Sequence, residues 1–162
     1  MLNLLQAVSI LDIPQHGRLP VRMHTSDGTA YRLVKHGSFG SDLIRFPAGG
    51  CVPDHTHVGD HILYVLGGSG FVDYDGEPWP LEEGVIYLIP GMIRHAIRAT
   101  TELTLLAIGN EHRDAAAEDR LNVVAKPATH NSGFETVGGA GRGGPPTFRA
   151  ASIDQLLAND ED

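Results

Sequence analysis

Three histidines within seven positions, His55, His57 and His61, constrain this chain more than any other feature of its sequence. They lie between a glycine turn, Gly49-Gly50, and an apolar run over residues 62–66. A fourth, His95, follows a second turn, Ile89-Pro90-Gly91. Residues i and i+2 of a strand face the same side, so His55 and His57 can aim two imidazoles at one point. His61 cannot join them along a straight strand. Four residues span about 13 Å, whereas nitrogens sharing a metal at about 2.0–2.1 Å sit only a few ångströms apart. The chain must therefore bend between His57 and His61, and Gly59-Asp60 is the natural place for it. The spacing predicts a metal site on folded-over strands.

The rest of the chain is consistent with one domain. Its 162 residues suffice to bury a core, and 41% hydrophobic with 20% charged residues is ordinary for a globular protein. With 12 basic and 20 acidic residues the formal charge is −8, and no Lys/Arg stripe marks a nucleic-acid partner. A single cysteine, Cys51, excludes an internal disulfide framework and fits a reducing cytoplasm. No apolar run approaches the roughly 20 residues that span a bilayer, so no membrane partner is expected. Residues 1–11 are apolar but lack a basic n-region and a cleavage site, so no signal peptide is expected.

Read in order, residues 1–11 are expected as a short amphipathic helix or initial strand. Pro14, Gly17 and Pro20 then form a loop, giving an N-terminal arm over residues 1–30 that packs on the domain or on a second subunit. Strands are predicted over residues 31–35, 42–46, 62–66, 71–74, 85–89 and 102–108, with 95–99 leading away from the second turn. Asp75-Gly76 signals a two-residue hairpin, and Pro78, Trp79 and Pro80 predict an irregular return. Many short strands without a long helix indicate an antiparallel barrel or jelly roll over residues 31–110. Residues 111–162 form a C-terminal extension. Within it, residues 114–121 and 151–158 are candidate short helices, and residues 138–146 are a Gly/Pro-rich flexible segment. A wandering tail and a lid or dimer-wrapping arm are both open readings of this extension.

These residues resemble a known family. Gly49, five residues, His55-Thr56-His57, three residues, His61, six residues, Gly68 is similar to the first motif of the cupin superfamily. Gly84, five residues, Pro90, four residues, His95 is similar to the second. The motifs cover residues 49–95, and the strand pattern extends the likeness to residues 30–110. The resemblance implies an all-β, cupin-type jelly-roll β-barrel, a homodimer, and one divalent metal ion per chain held by His55, His57, His61 and His95. The sequence departs from the pattern in three places. His61 replaces the usual glutamate, Met92 stands where a glycine is expected with Gly91 one place early, and Ala99 replaces a frequent asparagine. The four-histidine set resembles compact single-domain cupins with manganese or iron sites, some of them linked to oxidative cleavage.

Imidazole ligands suit iron, zinc, nickel and copper, and manganese accepts them. Four neutral ligands leave a site at +2, which favours a divalent metal and attracts anions such as carboxylates or enolates. Four ligands on an octahedral ion leave two positions for substrate and dioxygen, while four around tetrahedral zinc close the site, so iron or manganese is favoured. Without the glutamate, a metal-polarised mechanism replaces carboxylate general-base chemistry. Tyr64, Tyr87, Arg45 and Glu111 are candidate surrounding groups, Arg45 only if it points inward. Cys51 reads as a small buried filler, and His16, His24, His36 and His130 as structural. Gly67-Gly68-Ser69-Gly70 is a barrel turn, because no helix or lysine follows to make a phosphate loop. The function expected is a metal-dependent enzyme acting on a small organic anion or enol, foremost an oxygen-dependent, dioxygenase-like oxidoreductase. The alternatives are a non-redox cyclase, isomerase or lyase, and a binding module without turnover.

Overall fold

The computed structural model describes residues 6–13, 19–74 and 76–124. Its strands are β1 (Val21–Arg22), β2 (Thr29–His36), β3 (Phe39–Phe46), β4 (Cys51–Thr56), β5 (His61–Gly67), β6 (Ser69–Tyr74), β7 (Glu77–Glu82), β8 (Ile86–Ile89), β9 (His95–Ala99), β10 (Leu103–Gly109) and β11 (Asn122–Val123). They form two antiparallel sheets, ordered β1-β2-β3-β10-β5-β8 and β11-β4-β9-β6-β7. This is the all-β jelly roll expected, with one refinement: the barrel consists of two facing sheets that do not close into a continuous hydrogen-bonded ring. β1 and β11 lie outside residues 31–110 and are nonetheless paired into the sheets. Among the described residues, no helix is long and apolar enough to cross a membrane.

Period-two alternation places the core. Along β10, Leu103, Leu105 and Ala107 are buried between the sheets, while Thr104, Leu106 and Ile108 are only partly covered. Val65, Leu81 and Leu105 are completely shielded and anchor the interior cluster with Ile44, Phe46, Val72 and Ile97. β3 is buried on both faces, because Ile13 packs against Leu33 and Leu43 on its outer side, flanked by Val8 and Ile10. The Gln6 side chain extends the same attachment. Its Nε2 donates to Lys35 O (2.7 Å) and its Oε1 accepts from Lys35 N–H (3.0 Å), satisfying β2 beyond the end of β1. Described residues 6–13 contain no strand and no α-helix, unlike the element expected there.

Two further expectations are corrected. Pro78 and Pro80 do not make the return irregular; they lie in the regular strand β7, paired with Asp73 and Phe71. β7 is an edge strand, and the two prolines alternate in step, so the missing N–H groups cost the sheet nothing. Residues 114–121 form no helix. They make two successive tight turns, Ala117 N to Asp114 O and Arg120 N to Ala117 O, after which β11 joins β4. The β6–β7 hairpin closes with Tyr74 opposite Glu77 and Gly76 at φ +88°. Asp75 lies outside the described residues. So do residues 1–5 and 14–18 of the arm, and the segments of the extension expected at 138–146 and 151–158.

Candidate metal centre

A β-bulge aims the first ligand. In the β4–β9 ladder Val52 faces Ile97 and His55 faces His95, three residues on one strand against two on the other. In a regular strand, Val52 and His55 would face opposite sides. The extra residue at Pro53-Asp54 reverses the parity, so Val52 enters the core and His55 still points inward. Pro53 suits such a site, having no N–H to pair. His57 follows the end of β4, and the chain then turns at residues 57–60, where the sequence requires a bend. Gly59 is needed there for close approach: a Cβ would lie 2.1 Å from Asn110 O. The corner is tied to the second motif, because Met92 N–H donates to His57 O (2.7 Å) and Gly91 N–H to Asp60 Oδ1 (2.8 Å).

His55, His57 and His95 converge, each offering a ligand nitrogen within 4.8 Å of the other two. Their tautomers are fixed by the backbone. The Nδ1 atoms lie 2.8 Å from Pro53 O, 2.8 Å from Gly59 O and 2.9 Å from Ile93 O, and a carbonyl can only accept. Each Nδ1 therefore carries the proton and each Nε2 presents a lone pair, the arrangement that metal-ligating histidines require. Nε2 of His57 and Nε2 of His95 are 3.1 Å apart. Two unprotonated nitrogens at that distance repel unless a cation lies between them.

A proton is a poor candidate for that cation. Burial, reinforced by the neighbouring His95, pushes His55 down to about 3 and His57 down to about 4, and burial lowers His95 as well. The donor set fits a divalent metal: three neutral, buried imidazoles with preset lone pairs. His61 is on the inner wall of β5, its ring centroid 4.1 Å from that of His57. Burial, then the neighbouring His57 with which it would compete for a proton, lowers it to about 2. It stands beside the cluster of three rather than within it. The four rings line a small cavity of about 40 Å³, walled by Val52, Leu63, Ile97 and Ala107.

Sequence reasoning missed a buried polar group next to this cavity. Asp42, on the inner face of β3, lies 3.2 Å from Arg120 Nη1 and 3.1 Å from His112 Nε2, and all three residues are buried. The His112–Asp42 approach is short but not aligned as a hydrogen bond, and His112 Nδ1 is also unpartnered among the described residues. Arg120 lines the inner cavity and also an outer one of about 250 Å³, which His57, His61, Glu111 and His112 border. No motif marks these residues. The only signal was polar character in positions that strand alternation assigns to the inside, as at Asp42.

The other candidates fall elsewhere. Arg45 points outward, over the Tyr31 ring at 5.5 Å, so the inward condition on it is not met. Tyr64 shares the outer side of β5 with Ile62 and Leu66. Tyr87 donates its hydroxyl to Pro80 O (2.7 Å), linking the two sheets away from the histidines. Cys51 is not a buried filler: half-exposed at the start of β4, its N–H and Sγ both contact Asp27 Oδ2. Glu111 borders the outer cavity. His24 and His36 stand apart from the cluster, and His16 and His130 lie outside the described residues. A larger, more open hollow of about 580 Å³ near His24, Asp27 and Cys51 contains none of the four histidines.

Residues 42–109 match the cupin domain family. No curated protein matches the sequence. Among solved structures, KdgF from Halomonas sp. is 20% identical, with 61% of this chain and 91% of that one covered and a TM-score of 0.56. The polyketide cyclase RemF from Streptomyces resistomycificus is 18% identical over 77% of this chain and 89% of its own, at TM-score 0.61. Salicylate 1,2-dioxygenase from Pseudoaminobacter salicylatoxidans is 21% identical over 62% of this chain and 29% of its own, at TM-score 0.51. At these identities the likeness is one of fold. The domain match and the shared fold support the cupin superfamily, and the three-histidine cluster is consistent with a divalent metal.

Proposed function

We propose that this protein is a metal-dependent cupin enzyme acting on a small organic anion or enol, by an oxygen-dependent oxidoreductase reaction. One observation carries the reading: three backbone carbonyls take the Nδ1 protons, leaving the Nε2 atoms of His55, His57 and His95 converging without a proton among them. His61, stacked beside His57, is the fourth ligand in this reading. When bound, ferrous iron or manganese would supply Lewis-acid polarisation of the substrate and electron exchange with dioxygen.

The chain's own residues supply the rest. Pro53, Gly59 and Ile93 hold the imidazoles in orientation through their carbonyls. Val52, Leu63, Ile97 and Ala107 keep the inner cavity apolar and exclude bulk water. Of the two carboxylates bordering the outer cavity, Asp119 is paired with Arg113, which leaves Glu111 to accept a proton. That carboxylate favours a second reading, a non-redox cyclase, isomerase or lyase, which needs a proton acceptor and no oxygen. Action as a cytoplasmic homodimer belongs to the same proposal.

Elemental analysis of the protein as purified, followed by anaerobic reconstitution with ferrous iron or manganese, tests the assignment. Oxygen uptake with enolic or carboxylate substrates is the expected result. Turnover that survives without oxygen and with zinc would select the second reading. A fully stable protein that takes up no metal would sink both.

A further inference from the structure

We propose that Arg120 selects the substrate by gripping a carboxylate in the outer cavity and setting it beside the histidines. This rests on the histidine cluster being the reaction centre. Arg120 is only 8% exposed, and a buried guanidinium must have its N–H groups answered. Its Nη1 is committed twice, to Asp42 Oδ2 (3.2 Å) and to Arg113 O (2.9 Å). Nε and Nη2 have no hydrogen-bond partner among the described residues. Together they form a planar fork, the geometry that matches the two oxygens of a carboxylate.

Position adds to the argument. Arg120 borders both the inner cavity with its four histidines and the outer cavity of about 250 Å³. Asp42, itself 2% exposed and also approached by His112, engages Nη1 and leaves the Nε–Nη2 edge uncommitted. The outer cavity is smaller than the roughly 300–1,000 Å³ of sites for drug-sized ligands, so a small acid fits it. Glu111 and Asp119 on its wall disfavour a dianion such as phosphate.

Calorimetric titration of the metal-loaded full chain tests this, with the monoanions benzoate and propionate as probes against benzamide, propionamide and inorganic phosphate. The acids should bind at least about tenfold more tightly than the amides, and Arg120→Gln should lose at least about tenfold in acid affinity at unchanged metal content. Arg120→Lys keeps the charge opposite Asp42 but not the fork, and should also bind the acids several-fold more weakly. It decides the matter if circular dichroism shows Arg120→Gln to be unfolded. Acids bound no better than amides, no binding of either acid, a preference for phosphate, or wild-type acid affinity in both variants would each overturn the proposal. Metal content measured in the same samples separates the two readings. Arg120-dependent acid binding by a chain that takes up no metal would uphold the anchor and remove the metal centre.

Discussion

Asp60 Oδ1 accepts the Gly91 N–H at 2.8 Å, joining the corner after the first histidine motif to the turn before the second. The same side chain receives Asn110 Nδ2 at 3.4 Å, while Asn110 Oδ1 accepts Asp60 N–H at 2.7 Å. His57 and His95, 38 residues apart in sequence, thus have their approaches fixed to one carboxylate.

Asp60→Ala leaves the Gly91 N–H unanswered and frees the corner. We expect about 1–3 kcal/mol of lost stability and metal affinity down about 10–100-fold, the usual cost of removing a group that orients ligands. Asp60→Asn keeps an acceptor and should lose less. Chelator competition and thermal melts read both quantities. Metal affinity within twofold of wild type for Asp60→Ala would show that the corner holds without this latch.

The turn itself yields a contrasting pair of variants. Met92 has φ +64° and its side chain is exposed, so a residue with a Cβ occupies left-handed backbone without compensating packing. Met92→Gly removes that strain at the expense of a freer unfolded chain, and should stabilise by up to about 1 kcal/mol, or about 2–4 °C in Tm. Gly91→Ala should do the opposite. Its Cβ would meet Val58 O at 2.0 Å, a backbone atom that cannot move aside cheaply. We expect a loss above about 2 kcal/mol. Equal melting temperatures for the two variants would contradict the local geometry.

That turn also shows what the sequence made legible. The departure at residues 91–92, a glycine one place early, is visible as a motif mismatch, and the structure turns it into a strained methionine. The need for a bend between His57 and His61 follows from strand rise alone, and Gly59 provides it. The bulge in β4 was not legible, because i, i+2 spacing already accounted for His55 and His57 without it; Pro53 was its only trace. The prolines of β7 misled because edge position is a property of the sheet, not of the strand's own residues. Arg120 and His112 were invisible for another reason. They reach the site from the segment after β10, where no periodicity links a residue to the cavity it borders.

Removing single histidines tests how many of them hold metal. His55→Ala, His57→Ala and His95→Ala each delete one of three converging lone pairs, and each should reduce bound metal to a small fraction of wild type. His61→Ala should retain metal at saturation but bind it about 10–100-fold more weakly, since its ring stands beside the cluster. Metal analysis after dialysis against a weak chelator distinguishes these outcomes. Full-strength metal binding by His95→Ala would remove the candidate centre.

The pH dependence of the metal-free protein follows from the same burial. His55, His57 and His61 are lowered from 6.5 to about 3, about 4 and about 2 in the folded chain. Because the folded values lie below the unfolded ones, the unfolded state binds more protons once the pH falls under about 6.5. Stability is therefore full above that pH and declines as the pH drops, until it approaches the folded values. Each of the three histidines should cost on the order of 1 kcal/mol by about pH 5.5, or a few kcal/mol together as an upper figure. Denaturant titrations of chelator-stripped protein between about pH 7.5 and 5.5, a window above most carboxylate titration, measure this directly. The triple variant His55→Gln, His57→Gln, His61→Gln should flatten the slope. A wild-type stability that does not change across the window would mean that these rings are hydrated and free to protonate in the folded protein.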